Sequence, residues 1–175
     1  TVQAPLAVGG GEELSLQVAI TNRNTVAVES ATLIVEYPPG TQEVDMPGKE
    51  LFRQRVPVGG IKPGEMLQIP VNARIFGEEN EEKTIAISVE YRVAGSNATF
   101  FKEAEPLRVI VSSSPVSLSI EGIREVSSGQ EVALTLVLSS NSPSPLADLL
   151  IEAEYPFGFD FSESDPEPAK GQNLW

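Results

Sequence analysis

The sequence predicts an all-β fold built from antiparallel β-sandwiches. Three observations carry this prediction. Apolar residues alternate strictly with polar ones, turn residues interrupt the alternation at short intervals, and no stretch of helical length repeats apolar residues every three to four positions. Strict alternation is the period of a strand that buries one face. Short strands separated by turns are typical of sandwiches, in which two sheets bury their apolar faces against each other.

Alternating series predict strands at several points along the chain. In order, they cover residues 14–20, 31–37, 67–75, 85–91, 107–111 and 116–120. Turn residues separate them, among them Gly9-Gly10-Gly11, Pro38-Pro39-Gly40, Gly59-Gly60 and Pro63-Gly64. Gly64 after Pro63 fits a type II turn, because the third residue of that turn needs a positive φ. Tyr37 closes the apolar face of its strand, and Pro38 ends the strand.

The chain repeats itself at an offset of 118 residues. Residues 11–16 match residues 129–134, and the Glu-Tyr-Pro-x-Gly motif at 36–40 recurs at 154–158 in the same register. The apolar positions coincide as well, since Leu16 corresponds to Leu134. A shared motif in one register indicates a tandem repeat more strongly than shared alternation alone.

The repeat divides the chain into two predicted domains. Residues 1–112 form a first sandwich, and residues 113–175 form the front half of a second repeat, which we expect to be truncated. Between them lies Ser112-Ser113-Ser114-Pro115. A junction this short predicts a stiff connection, because few relative orientations are open to domains tied so closely.

The order of these motifs resembles the tandem Ig-like repeats of bacterial and archaeal cell-surface proteins, the CARDB-like group. The resemblance rests on Thr21-Asn22-Arg23-Asn24, on the motif at 36–40 and on Gly60-Ile61-Lys62-Pro63-Gly64-Glu65. It covers the first repeat fully and the front half of the second. It implies tandem Ig-like sandwiches, an extracellular or cell-surface location, and stalks, adhesins or spacer modules without catalytic residues.

Composition excludes several classes of function. The chain has no Cys and no His, so it holds no His general base, no Cys–His nucleophile pair and no zinc site of the usual kind. The formal charge of −13 argues against nucleic acid and anionic membranes as partners. We therefore predict a protein that is not an enzyme and that binds protein partners or neighbouring repeats.

Acidic residues in the second repeat are candidate calcium ligands. Asp160, Glu163, Asp165 and Glu167 follow the second Tyr-Pro motif. Calcium binds six to eight oxygen atoms, which acidic loops can supply, but this spacing is not that of an EF-hand loop. A solvated charged loop is the alternative, and no other cofactor is predicted.

Three phenylalanines form a candidate contact surface. Phe157, Phe159 and Phe161 alternate with Gly158 and Asp160, so we expect the rings to share one face of a strand. Alternatively, they are core of the second repeat. If that repeat is incomplete, a strand from a neighbouring chain could complete it by strand addition.

Two further hypotheses complete the prediction. Asn97-Ala98-Thr99 is a glycosylation sequon in a predicted turn.

The preferred function is a structural, adhesion or assembly module of an extracellular cell-surface or filament protein. The alternative is an accessory carbohydrate-binding or positioning module of a secreted hydrolase, which would use exposed aromatic residues such as Tyr91 or Trp175.

Overall fold

The computed structural model describes residues 1–123, 125–143 and 145–175 of the 175-residue chain. These residues are all-β, with twelve strands and no helix, so the predicted fold class is confirmed. The strands are β1 (Val2–Gln3), β2 (Ala7–Val8), β3 (Glu13–Thr21), β4 (Val28–Glu36), β5 (Thr41–Gln42), β6 (Arg53–Ile61), β7 (Met66–Ile75), β8 (Glu82–Val93), β9 (Phe100–Glu103), β10 (Leu107–Val111), β11 (Val116–Gly122) and β12 (Leu134–Ser140).

Strands β1 to β10 form a sandwich of two sheets. One sheet has the order β1-β3-β7-β5, and the other has the order β2-β10-β8-β4-β6, with β9 also pairing with β8. Neighbouring strands run antiparallel, except that β2 runs parallel to β10. β2 and β10, the first and last strands of this sheet in chain order, therefore lie side by side.

The core lies between the two sheets and follows the alternation of the sequence. Along β3, Leu14, Leu16 and Val18 are buried, while the residues between them are more exposed. Leu33 of β4 and Ile85 of β8 meet them from the other sheet. Burying a side chain of this kind contributes about 1.5–3 kcal/mol relative to leaving it in water. The sandwich is therefore held together by its alternating apolar faces.

One of the predicted turns is confirmed and another is wrong. Lys62–Glu65 is a type II turn as predicted: the Glu65 N–H donates to the Lys62 carbonyl over 3.0 Å, and Gly64 has a φ of 77°. The prediction of a turn at Gly59-Gly60 is wrong, because both residues lie inside β6. The pairing of β6 with β4 shifts register opposite Ala31, and Gly59, with a φ of 85°, supplies the left-handed conformation that a bulge needs.

Strands β11 and β12 form a separate two-stranded antiparallel sheet. This hairpin belongs to one compact unit with the sandwich, Thr1–Ser144, and a second unit comprises Pro145–Trp175. The last strand of the sandwich ends at Val111, one residue before the predicted domain boundary. The tandem Ig-like division of the chain stays a prediction.

Candidate functional site

The three phenylalanines of the candidate contact surface do not share a strand face. The segment that holds them is not a strand: the Phe159 N–H donates to the Pro156 carbonyl over 3.1 Å, and Gly158 has a φ of 91°. The turn therefore runs from Pro156 to Phe159, and Gly158 at its third position supplies the positive φ of a type II turn, which overrides the period-two pattern. Phe157 at the turn is fully exposed, whereas Phe161 is half-buried.

Phe161 instead belongs to a small aromatic cluster in the second unit. Its ring centroid lies 6.2 Å from Tyr155 and 6.4 Å from Trp175. The indole Nε1 of Trp175 donates to the Pro166 carbonyl over 2.9 Å and lies 3.2 Å from the Ser164 hydroxyl oxygen. Of the three predicted phenylalanines, only Phe161 packs among other aromatic rings, at distances typical of favourable pairs.

The tyrosine of each Tyr-Pro motif makes an equivalent hydrogen bond. The Tyr37 hydroxyl donates to Gln54 Oε1 over 2.9 Å, and the Tyr155 hydroxyl donates to the Gln172 carbonyl over 2.9 Å. Gln54 and Gln172 are themselves 118 residues apart, so both bonds join positions related by the offset of the predicted repeat, although one acceptor is a side-chain oxygen and the other a backbone carbonyl. Burial raises the pKa of Tyr37. The role of Tyr37 as a core residue is confirmed by its burial.

The candidate calcium ligands lie on an exposed segment. The side chains of Asp160, Glu163, Asp165 and Glu167 are all exposed. In the described ranges, no group of three or more Asp and Glu residues is arranged so that it could hold a metal ion. A calcium site at these residues stays a prediction.

The acidic loop before β8 is tied down by a buried lysine. Lys83 Nζ lies 2.7 Å from a carboxylate oxygen of Glu81 and donates to the Pro39 carbonyl over 3.2 Å. The other Glu81 oxygen accepts the Glu78 N–H over 3.0 Å. The hydrogen bond from Lys83, helped by the one from Glu78, lowers the pKa of Glu81. These contacts give the loop a structural role.

The predicted glycosylation sequon lies in the loop between β8 and β9. Asn97 is exposed and follows a turn in which the Ser96 N–H donates to the Val93 carbonyl over 3.1 Å. The Ala98 N–H then bonds to the Ser96 hydroxyl over 3.2 Å. An exposed loop position is compatible with the predicted modification.

The junction between the sandwich and the hairpin is a tightly packed site that the sequence analysis missed. The Gly10 N–H donates to the Ser113 carbonyl over 2.9 Å, and the Ser112 N–H donates to the Val8 carbonyl over 2.9 Å. A Cβ atom on Gly10 would lie 2.8 Å from both Pro115 Cδ and the Ser113 oxygen. The signal available in the sequence was the run of three glycines, which predicted only a turn.

The base of the hairpin is fastened to the same segment from the other side. The Asn141 backbone N–H donates to the Pro115 carbonyl over 2.9 Å, and Asn141 Nδ2 donates to the Ser114 carbonyl over 3.2 Å. Gly10, Pro115 and Asn141 thus meet where the sandwich passes into the hairpin. We call this set of contacts the junction clamp: Gly10, Ser112–Pro115 and Asn141. It fixes the start of β11 and the end of β12 relative to the sandwich.

Two depressions in the surface of the described residues are small. One depression of about 50 Å³ is lined by Ser30, Thr32, Glu90, Tyr91, Arg92 and Thr99. Another, of about 90 Å³, lies beside Ala104. Pockets for drug-sized ligands usually have volumes of ~300–1,000 Å³. The described residues also include no helix long and apolar enough to cross a membrane.

Comparisons with solved structures give distant likenesses. No protein-family model matches the chain, and no curated protein matches it. A structure of native alpha-2-macroglobulin from E. coli is 15% identical, with a TM-score of 0.44, over 70% of this chain and 7% of that chain. Spo0M, a sporulation control protein from Bacillus subtilis, is 16% identical, with a TM-score of 0.36, over 70% of this chain and 57% of that chain. At these scores, neither likeness carries an argument about function.

Proposed function

We propose that the chain is a non-catalytic spacer and interaction module, made of tandem Ig-like repeats, of an extracellular cell-surface or filament protein. The junction clamp is the observation that carries this proposal. A spacer holds a distal element at a set distance and direction, and it can do so only if its repeats are joined stiffly. Here the connecting residues are hydrogen-bonded to the sandwich on one side and to the base of the hairpin on the other.

The repeat register further supports a tandem arrangement. Ile120 pairs with Leu136, as Val2 pairs with Val18 in the sandwich, and both pairs are displaced by 118 residues. The strong acid excess suits such an array, because like charge on successive modules opposes aggregation.

Stiffness is tested by ¹⁵N relaxation with the substitution Gly10→Ala. In the native chain, we expect the amides of β11 and β12 to report the same rotational correlation time as those of β3. The added methyl group would lie 2.8 Å from Pro115 Cδ and from the Ser113 carbonyl oxygen, so it should displace Ser113–Pro115 from Gly10. The hairpin amides should then report a shorter correlation time than the sandwich amides.

Gly60→Ala is the matched control. A Cβ atom there meets the Val28 carbonyl oxygen at 3.4 Å and the Glu29 carbonyl oxygen at 3.6 Å, which are ordinary contact distances. Gly60 lies in β6, at the opposite edge of its sheet from β2 and β10. This variant should relax like the native chain. If the hairpin of the native chain already tumbles independently of the sandwich, the spacer proposal is wrong.

Surface location needs its own measurement. Intact cells of the source organism are treated with a membrane-impermeant amine reagent, and the protein is then digested and analysed by mass spectrometry. We expect exposed lysines such as Lys62 to be labelled without permeabilisation. Labelling only after permeabilisation would place the protein inside the cell and overturn this part of the proposal.

A carbohydrate-binding role is the second candidate, favoured by the aromatic residues at β9. The Phe100 ring stacks on Tyr91 at 5.7 Å, and the neighbouring Phe101 is exposed beside Glu90 on β8. Sugars bind exposed rings flanked by polar side chains. Pull-down on insoluble polysaccharides should then depend on Phe101, whereas Phe157→Ala, which removes a still more exposed ring elsewhere, should have no effect.

A further inference from the structure

The outer edge of β12 carries backbone groups that point away from β11. In the sandwich, Thr1 and Ala19 exchange two backbone hydrogen bonds of 2.8 and 2.9 Å. The backbone N–H and C=O groups of Ala19 therefore point toward β1, and those of its neighbour Val18 point toward β7. At an offset of 118 residues, Val137 corresponds to Ala19. The Asn141 N–H bonds to Pro115 on the β11 side, which fits the same alternation. The N–H groups of Leu134, Leu136 and Leu138 therefore face the open edge.

The same three leucines form one apolar face of the hairpin. Leu136 lies opposite Ile120 and Leu138 lies opposite Leu118, and all four side chains are at least 39% exposed. An edge strand that is uncharged, regular and apolar is a template for another strand. An isolated two-stranded sheet is also marginally stable in water, whereas a third strand on an apolar face makes it stable.

The sandwich shows what covers this edge in the equivalent position. There β7 pairs with β3 along nine residues, with Leu16 opposite Val71 and Val18 opposite Ile69. Leu16 is 0% exposed, whereas its counterpart Leu134 is 55% exposed. Pro70, which has no N–H to donate, lies opposite Gln17. The backbone groups of Gln17 point toward β1, so no N–H of Pro70 is needed in the β3–β7 pair. The register of the β3–β7 pair thus predicts the register of a strand on β12.

We propose that the edge of β12 is a strand-acceptor site for an extended segment of a neighbouring polypeptide with the alternating apolar pattern of β7. The segment runs antiparallel to β12 and places apolar side chains opposite Leu134, Leu136 and Leu138. The β7 strand described above does not fill this site, because it is itself held between β3 and β5. This inference rests on the proposed assembly role and names the chemistry of the partner.

The test uses the full chain and a synthetic peptide with the sequence of residues 65–76. Binding is followed by fluorescence anisotropy, and amide exchange is followed by NMR. We expect saturable binding and slower exchange at Leu134, Leu136 and Leu138. The amides of Thr135 and Val137 should change little, because they face β11 in the free chain.

Two N-methylated peptides provide matched controls without altering the protein. Methylation at Val71 removes an N–H that should point to β12, and we expect affinity to fall by about tenfold or more, the usual effect of losing one such hydrogen bond. Methylation at Asn72 blocks an N–H that points away, so affinity should be unchanged. Equal affinity of the two methylated peptides would show that binding is not strand addition and would overturn the proposal.

Two other outcomes would also overturn it. Absence of saturable binding by the unmodified peptide excludes a β7-type strand, while the relaxation test of the junction clamp still decides the spacer role separately. Alternatively, light scattering could show that the chain alone dimerises, with Leu134, Leu136 and Leu138 protected from exchange. The occupant of the edge would then be a second copy, not a β7-type strand.

Discussion

The β1–β3 pair of the sandwich and the β11–β12 hairpin share a register at an offset of 118 residues, but they differ in burial. Val18 pairs with Val2 and is 3% exposed, whereas Leu136 pairs in the same register with Ile120 and is 39% exposed. The difference lies in what surrounds each pair. β3 is covered by β7 and by the opposite sheet, while β12 pairs only with β11 among the described strands. Hairpin register is therefore encoded locally, and burial depends on strands distant in sequence.

The largest expected effect comes from truncating equivalent leucines. Leu16→Ala should lower the free energy of unfolding by about 2–5 kcal/mol, because it leaves a cavity in a filled core. Leu134→Ala should change it by no more than ~0.5 kcal/mol, as expected for an exposed position. Urea denaturation of both variants measures the difference. Similar losses for the two variants would mean that the hairpin is buried in solution, contrary to the comparison.

The tyrosine pair should show a smaller contrast of the same sign. Tyr37→Phe removes the partly buried hydrogen bond to Gln54 and should cost about 1 kcal/mol. Tyr155→Phe removes an exposed bond to Gln172 and should cost ~0.5 kcal/mol or less. Urea midpoints of the two variants and the native chain test this order, and a larger cost at Tyr155 would reverse the comparison.

Tyr37 also gives the sandwich a specific response to alkali. Burial raises the pKa of Tyr37, so the folded chain keeps the proton more tightly than the unfolded chain does. Its contribution to stability is complete below the ordinary tyrosine pKa of about 10 and is lost as the pH rises above it. Tyr37→Phe should make this loss shallower. Unfolding curves recorded across this pH range, with tyrosinate absorbance, provide the measurement.

The smallest expected effect concerns the ion pair of the acidic loop. Hydrogen bonding from Lys83 lowers the pKa of Glu81, so the carboxylate stabilises the fold above the ordinary glutamate pKa and loses that contribution as the pH falls through the lowered value. Glu81→Gln should therefore be slightly less stable than the native chain at neutral pH and equal to it in acid. Glu82→Gln is the control, since the Glu82 pair with Arg108 is 3.5 Å long and exposed. A constant deficit at all pH values would contradict this account.

Much of the sandwich could be predicted from the sequence because its strands alternate without interruption. The series at 14–20, 67–75 and 85–91 all lie within strands. The prediction failed where glycine has two possible roles. Gly59 has the positive φ of a turn residue but lies in a bulge of β6, and only its pairing with β4 distinguishes the two cases.

The site was harder to predict than the fold. Phe157 and Phe159 alternate like strand residues, yet both lie in the turn around Gly158, and Phe161 follows that turn. The junction clamp joins Gly10 to Ser113, more than 100 residues away, and no local pattern marks such a contact. Sequence periodicity shows which face of a strand is apolar, but it does not show which distant segment lies against that face.

The parallel pair of β2 and β10 has a mechanical consequence. Tension applied at the start of β2 and at the end of β10 pulls these parallel strands past each other in opposite directions. The bonds from Ile110 to Leu6 and from Ser112 to Val8, each 2.9 Å, then lie across the direction of pull and are loaded together. Strands loaded in shear break all their bonds at once, whereas strands pulled apart from one end unzip bond by bond. The sandwich is thus arranged to resist extension along the chain.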